Sequence, residues 1–370
     1  MQQVQSSDSY NYDAIIIGQG LAGSILAWEL IQSGKNILLI DNHHHGSSSA
    51  VAAGIINPVT GHRVNLTEGF KKFIVTAKSS YAKLSTTFGT SFLQDIPQLR
   101  LIKNPGQLHY YHKRLKSDEY AQFIGTPINN HDLYIESPFG IANISQTFRV
   151  RVTELLATLR KYFIESGKLL EVKLDYSCIH FKQHHVEVLL DRTFAAKRII
   201  FCEGYQAIHN PWLKNLDFKL AKGEILTLNL NKTVDQMLNW SHWLLPKSDG
   251  SAFLGSSYDW QDISNATHEE TKQKLINSLN NYTSASGDII DHKAGIRPTT
   301  QTRKQFVGQH PEHHQLYCFN GFGSKGCLTI PHYAKQLSKH FHTHQPLAEL
   351  NPELDPFLGL RYTLFPTSSQ

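Results

Sequence analysis

Between Tyr12 and Asp41 the spacing of apolar positions changes twice. Ala14–Ile17 is an unbroken apolar run, the pattern of a strand covered on both faces. Leu21, Ala22, Ile25, Leu26, Leu30 and Ile31 then recur at helical spacing, and residues 37–40 form a second apolar run. Gly18, Gly20 and Gly23 occupy the first junction and Gly34 follows the helical stretch. The pattern predicts strand, glycine turn, helix over 21–33, and a second strand ending at Asp41 and Asn42. Each part answers a need of dinucleotide binding. Gly18 permits the tight turn, Gly20 lets backbone N–H groups approach a pyrophosphate, and Gly23 seats the helix close to the strand. The helix start at Leu21 and Ala22 then faces the phosphates, and Asp41 accepts ribose hydroxyls.

Residues 42–65 show neither period and are rich in small side chains. Ser47, Ser48 and Ser49 suit a short helix whose N–H groups and hydroxyls lie against phosphate, with Gly54 and Ile55 bringing backbone against a flat ring. A polar loop is the alternative, and the apolar stretch Ile55, Ile56 and Pro58 argues against it, because a solvent loop would not bury such side chains. The His43-His44-His45 run has no acidic or cysteine partner at ligand spacing, so no metal is assigned.

Residues 68–88 and 149–166 return to helical spacing, and so do 267–282. Residues 94–145 break into short apolar pieces between prolines and glycines, the pattern of an antiparallel sheet. After Gly167 come strand patterns at LLEVKL, SCIHF, HVEVLL and RIIFCEG, which return the chain to its first domain. The last delivers Cys202 and Gly204 at a strand end, where backbone can approach a cofactor or simply turn. Residues 219–230 and 253–257 resume the sheet, so neither domain is contiguous.

Gly321-x-Gly323-x-x-Gly326 is a second triplet of the same form, after an apolar strand over 316–319 and before a helix expected near Pro331. The chain beyond it supplies no further strand with an acid, so a separate nicotinamide nucleotide is rejected. The triplet instead brings N–H dipoles, Ser324 and Lys325 to one edge of the cofactor already held by the first.

Composition narrows the picture only slightly. The net charge of +5 over 370 residues comes from scattered short pairs, without the basic run that a polyanion usually selects. The four cysteines lack CxxC spacing, the first residues lack the features of a signal peptide, and no apolar run approaches a membrane span. These features predict a cytoplasmic protein with reduced thiols.

GQGLAG, SSSAVAAG, FCEGYQ, AKGEIL, GIRPTT and GFGSKGCLTIP, in this order, resemble the D-amino-acid oxidase family of FAD-dependent enzymes, which includes glycine and sarcosine oxidases. GSSY at 255–258, FGSKGCLTIP and the late LNP look like the oxidase domain of the bifunctional bacterial enzyme that matures the wobble uridine of tRNA. The resemblance implies an α/β fold: a glutathione-reductase-like FAD-binding domain over 12–90, 146–215 and 291–345, and a discontinuous α+β antiparallel-sheet substrate domain over 91–145 and 216–290. Residues 1–11 are expected to be disordered and 346–370 to form a tail. It also implies C–N bond oxidation by hydride transfer to flavin N5, hydrolysis of the resulting imine, and reoxidation by oxygen or another acceptor.

On this resemblance, Arg297 binds a substrate carboxylate through its planar fork, with Gly295 beside it; a structural ion pair is the alternative. The family often places an acid a few residues on, where this chain has Thr299 to Arg303. Gly323, Ser324, Lys325 and Gly326 lie where charge on the reduced flavin is stabilised. His62 and Arg63 border the flavin or merely the surface, Tyr258 lines the pocket or packs in a core, and Cys318 carries covalent flavin or packs. The expected substrate is a carboxylate-bearing amine or amino acid. tRNA carrying a carboxymethylaminomethyl uridine is an alternative, and a non-catalytic FAD sensor is another.

Overall fold

The computed structural model describes residues 11–43, 47–129, 134–232 and 234–346; the expected terminal segments fall almost entirely outside these residues, as do His44 and His45. The apolar runs read from the sequence form the centre of a six-stranded sheet. Its order is Leu169–Glu171, Ile37–Asp41, Ala14–Ile17, Ile199–Phe201, Leu316–Asn320 and Phe306–Gln309. Only the last strand runs antiparallel to its neighbour. Both faces are covered, which is why the strands are apolar throughout rather than alternating. Ile16, Leu39 and Ile200 pack under helices, whereas Ile15, Leu38 and Ile199 pack under a three-stranded sheet of Ile179–Phe181, Val186–Leu189 and Thr193–Ala196. The HVEVLL pattern therefore belongs to this covering sheet.

Helix α1 (Leu21–Gln32) is apolar nearly all round and is buried against the sheet and later helices. The short α2 (Ser48–Val51) starts at Ser47, whose hydroxyl accepts from Ser49 N–H. Helix α3 (Phe70–Phe88) buries Phe70, Phe73, Ile74, Ala77, Tyr81 and Leu84 on one face. The expected sheet over 94–145 is interrupted by α4 (Pro105–Leu115) and α5 (Asp118–Ala121). Pro105-Gly106 starts α4 instead of breaking the chain: Asn104 caps it by accepting from Gln107 N–H at 2.9 Å, and Pro105 occupies the first turn, where no donor is needed. Helices α6 (Val152–Glu165) and α7 (Glu269–Asn280) follow the spacing.

Helix α8 (Gly326–Thr343) begins five residues before Pro331, which lies inside it. Proline has no N–H for the carbonyl of Cys327, four residues back. Tyr81 of α3 supplies the missing donor, its hydroxyl reaching that carbonyl at 2.8 Å in a buried site. Tyr81→Phe should therefore lower unfolding free energy by about 1–2 kcal/mol in denaturant titration, because a buried carbonyl is left unpaired. An unchanged midpoint would show that the carbonyl finds another partner.

The second sheet has seven strands in the order Gly287–Arg297, Ala221–Leu230, Ser251–Gly255, Trp243–Pro246, Met237–Asn239, Gln98–Leu101 and Ile141–Ile144. It is antiparallel except where Gln98–Leu101 joins Met237–Asn239 in parallel. The expected division at 290/291 falls inside Gly287–Arg297, which pairs with Ala221–Leu230 along its length. Helix α7 closes one face through Leu275 and Leu279.

Candidate active site

One cavity of about 710 Å³ runs from the strand-end acid Asp41 to Arg297, bounded by both glycine-rich turns. This volume lies within the range of roughly 300–1,000 Å³ typical of cofactor and ligand sites. At its first end Gly18, Gly20, Leu21 and Ala22 form the wall. Gly23 lies behind it, where a Cβ would overlap the Gly18 carbonyl. Gly20 is an N-cap without a side-chain cap, so α1 presents its N-terminus to the cavity. Ser48 and Ser49 of α2 also line it, and Ser49 Oγ accepts from Leu21 N–H at 3.1 Å. A side chain at Gly20 would meet Ser49 Oγ at 3.3 Å, so that glycine keeps the turn and α2 close. Backbone donors and hydroxyls gathered at a helix start in this way suit a phosphate.

Asp41 and Asn42 stand at the end of the cradle. Asp41 Oδ1 accepts from Gln19 N–H at 2.8 Å, and Oδ2 pairs with Arg160 of α6 at 3.0 Å. Arg160 also donates to Gln19 Oε1 and pairs with Glu171. Sequence spacing gave no sign of Arg160, which lies on the polar side of an amphipathic helix 119 positions from its partner.

Cys202, Glu203 and Gly204 form the opposite wall, and Gly54 and Ile55 lie further along. Gly54 has φ +80° and lies against the Val150 carbonyl with no room for a Cβ. Glu203 accepts from the Tyr176 hydroxyl at 2.7 Å and from Asn210 Nδ2 at 2.8 Å. Burial nevertheless pushes its carboxyl up to about 7. An unfolded glutamic acid ionises near pH 4.3. Between those values the unfolded chain sheds the proton that the fold retains, so stability falls as pH rises from about 4.3 to 7 and then levels. Glu203→Gln should remove this loss, stabilising the protein by up to about 3 kcal/mol near pH 8 and by little near pH 4. Equal midpoint shifts at both pH values would contradict that account.

The far end is built by the second sheet and the second triplet. Gly295 lets α2 lie against the sheet, since its Cβ would meet Ser48 Cα and Val51 Cβ at 3.3 Å. Gly321 and Gly323 have positive φ, and side chains there would strike Thr300 and Thr299. They let the turn after Arg297 pack on the start of α8. Gly323, Ser324 and Gly326 line the cavity, whereas Gly321 lies behind it. Helix α8 also lacks a side-chain N-cap, so a second helix N-terminus faces the same space. Lys325 is off the cavity wall; burial lowers its pKa, opposed by Glu68 and assisted by Arg303.

Arg297 lies over Gly223, where any Cβ would collide with the guanidinium. Nη2 donates to Ser256 Oγ at 2.9 Å and Nη1 to the Lys222 carbonyl at 3.2 Å. The Tyr258 ring lies 4.2 Å from the guanidinium carbon. Among the described residues no carboxylate pairs with Arg297, and burial lowers its pKa. Tyr258 lines the cavity while remaining 54 % exposed. Trp243, Ile225 and Ser256 complete this end. Gly223 was legible as a glycine inside a strand, a mark of close approach.

Arg63 is exposed in the turn after Val59–Thr60 and is not on the cavity wall; its carbonyl accepts from Arg114. Cys318 is fully buried in its strand and also off the wall. Among the described residues there is no cluster of three metal-ligating side chains, and no helix is long and apolar enough to cross a membrane.

A dinucleotide cradle joined to a chamber beneath a second sheet defines a two-part flavoprotein-type site. Residues 13–340 match the family described as FAD dependent oxidoreductase (DAO), and the chain belongs to that family. It is 22 % identical over 349 residues to glycine oxidase of Bacillus subtilis (strain 168), covering 87 % of this chain and 90 % of the relative. It is also 22 % identical over 368 residues to the tRNA 5-methylaminomethyl-2-thiouridine biosynthesis bifunctional protein MnmC of Leptospira interrogans serogroup Icterohaemorrhagiae serovar copenhageni (strain Fiocruz L1-130). That match covers 85 % of this chain but only 55 % of the relative. Among solved structures, glycine oxidase from Geobacillus kaustophilus superposes with a TM-score of 0.78 at 16 % identity, covering 94 % of this chain and 98 % of that one. The cofactor class is FAD, and the cavity fits it: the start of α1 suits a pyrophosphate, Asp41 lies beside it at a strand end, and the start of α8 faces the other end.

Proposed function

We propose that the protein oxidises the C–N bond of an amine that carries a carboxylate. The observation that supports this reading is Arg297, a partly buried guanidinium on the cavity wall without a carboxylate partner among the described residues. Removing such a charge from water is costly unless a counter-charge arrives. A substrate carboxylate provides it and takes two parallel hydrogen bonds from the fork. Trp243 and Ile225 make the adjacent wall apolar, which favours the neutral amine over the ammonium. Bound FAD supplies the hydride acceptor. The N–H groups of Gly20 and Ala22, the Ser49 hydroxyl and the start of α8 would hold the cofactor as donors.

Anaerobic titration with glycine, sarcosine and proline tests this reading. Substrate-dependent bleaching of the flavin absorbance is expected, and a flavin that stays yellow with every carboxylate-bearing amine would reduce the protein to an FAD binder. The similarity to MnmC favours a second reading, in which the amine is the carboxymethylaminomethyl group of tRNA wobble uridine. That group is itself an N-substituted glycine, so Arg297 serves both readings.

A further inference from the structure

The loop after Ser251–Gly255 turns three large apolar side chains outward: Tyr258, Trp260 and Ile263 are 54 %, 50 % and 44 % exposed. The loop is clasped from behind. Lys222, fully buried, pairs with Asp262, and the backbones of Lys222 and Asp259 exchange hydrogen bonds at 2.8 and 3.0 Å. Asp259 Oδ1 accepts from Gln261 and Asp262 N–H groups, so both loop acids are engaged within the loop or behind it.

The exposed rings continue outward from the substrate arginine. The Arg297 guanidinium lies 4.2 Å from the Tyr258 ring, Tyr258 and Trp260 have centroids 6.2 Å apart, and Lys219 Nζ lies 5.1 Å from the Trp260 ring. Lys219 N–H donates to the Thr299 carbonyl, and the turn beyond Thr299 exposes Arg303 and Lys304. The result is a series of cation, ring, ring and cation leading from the cavity to the surface.

Resting on the carboxylate-amine reading, we infer that this series recognises the non-reacting end of the substrate: a base of single-stranded nucleic acid stacked at Tyr258 and Trp260, with backbone phosphate at Lys219. A compact amino acid reaches Arg297 without touching Trp260. A purely apolar substituent has no use for the outer lysine. A base with a phosphate and a carboxylate-bearing arm engages all four groups.

The test uses the FAD-loaded chain and a fluorescein-labelled RNA hairpin with a single-stranded loop, read by anisotropy. Hairpin binding is expected. Trp260→Ala should weaken it roughly tenfold, and Trp260→Phe, which keeps a ring, should recover most of the loss. Lys219→Gln should reduce the salt slope by about one. Ile164→Ala, an exposed site on α6, should change nothing. The inference is overturned if the hairpin does not bind at low salt, if Trp260→Ala binds as wild type does, or if a fully paired duplex binds equally well. Flavin reduction by sarcosine is independent of this readout: reduction without hairpin binding leaves the Arg297 reading standing and removes the stacking surface. Hairpin binding with a flavin that no carboxylate-bearing amine reduces does the reverse.

Discussion

Arg297→Met lowers kcat/KM for a carboxylate-bearing amine by about a thousandfold, while an amine without the carboxylate loses far less. The size follows from what the guanidinium does. Removing one partner of a buried, hydrogen-bonded charge pair costs about 2–5 kcal/mol, and about 4 kcal/mol is a thousandfold in rate. Ser256 Oγ and the Lys222 carbonyl orient the fork but carry no full charge, so on the proposed function the substrate carboxylate is its principal counter-ion. Met retains much of the side-chain volume over Gly223, which separates loss of charge from loss of packing. Steady-state rates with paired amines decide the matter. An equal loss for both substrates would mean that Arg297 supports the strand end and does not clamp a carboxylate.

Gly23→Ala is expected to cost about 4 kcal/mol and to remove most bound FAD, seen as a fall in the flavin-to-protein absorbance ratio and in the denaturant midpoint. The new methyl group would overlap the Gly18 carbonyl oxygen and lie 3.3 Å from Cys202 Cβ. Neither obstacle is a flexible side-chain end. Helix α1 must shift, and its N-terminus leaves the pyrophosphate position. A variant with normal FAD content would show that the turn can relax without moving the helix.

The first cradle was readable because strand, triplet, helix, strand and acid are local and each has its own period. Arg297 was singled out only through the resemblance carried by Gly295-Ile296-Arg297-Pro298, because an arginine at a strand end is unremarkable by itself. The neighbours that give these residues their surroundings were not readable. Arg160 reaches Asp41 from a helix far along the chain, and Glu203 acquires its raised pKa only when folding buries it, against the lowering effect of the hydrogen bonds from Tyr176 and Asn210. Helix α4 was hidden because Pro and Gly stop some helices and start others, and the side chain of Asn104 decides which. The start of α8 was hidden for a related reason: Pro331 is tolerated inside that helix because Tyr81, 246 residues from Cys327, takes the Cys327 carbonyl that the proline frees. Lys325 shows the converse limit. Its place in the triplet was legible, but its position off the cavity wall, where burial lowers its pKa, was not.

The order of strands in the first sheet also governs when the protein can become itself during synthesis. Ala14–Ile17 lies beside Ile199–Phe201, which lies beside Leu316–Asn320, and α1 is packed by α8. The glycine turn near the beginning of the chain therefore waits, on the ribosome, for a helix ending at Thr343. Such distant closures are slow and leave apolar strands uncovered in the meantime. Nascent chains are consequently candidates for chaperone protection until α8 emerges, and cofactor capture is expected to follow that emergence.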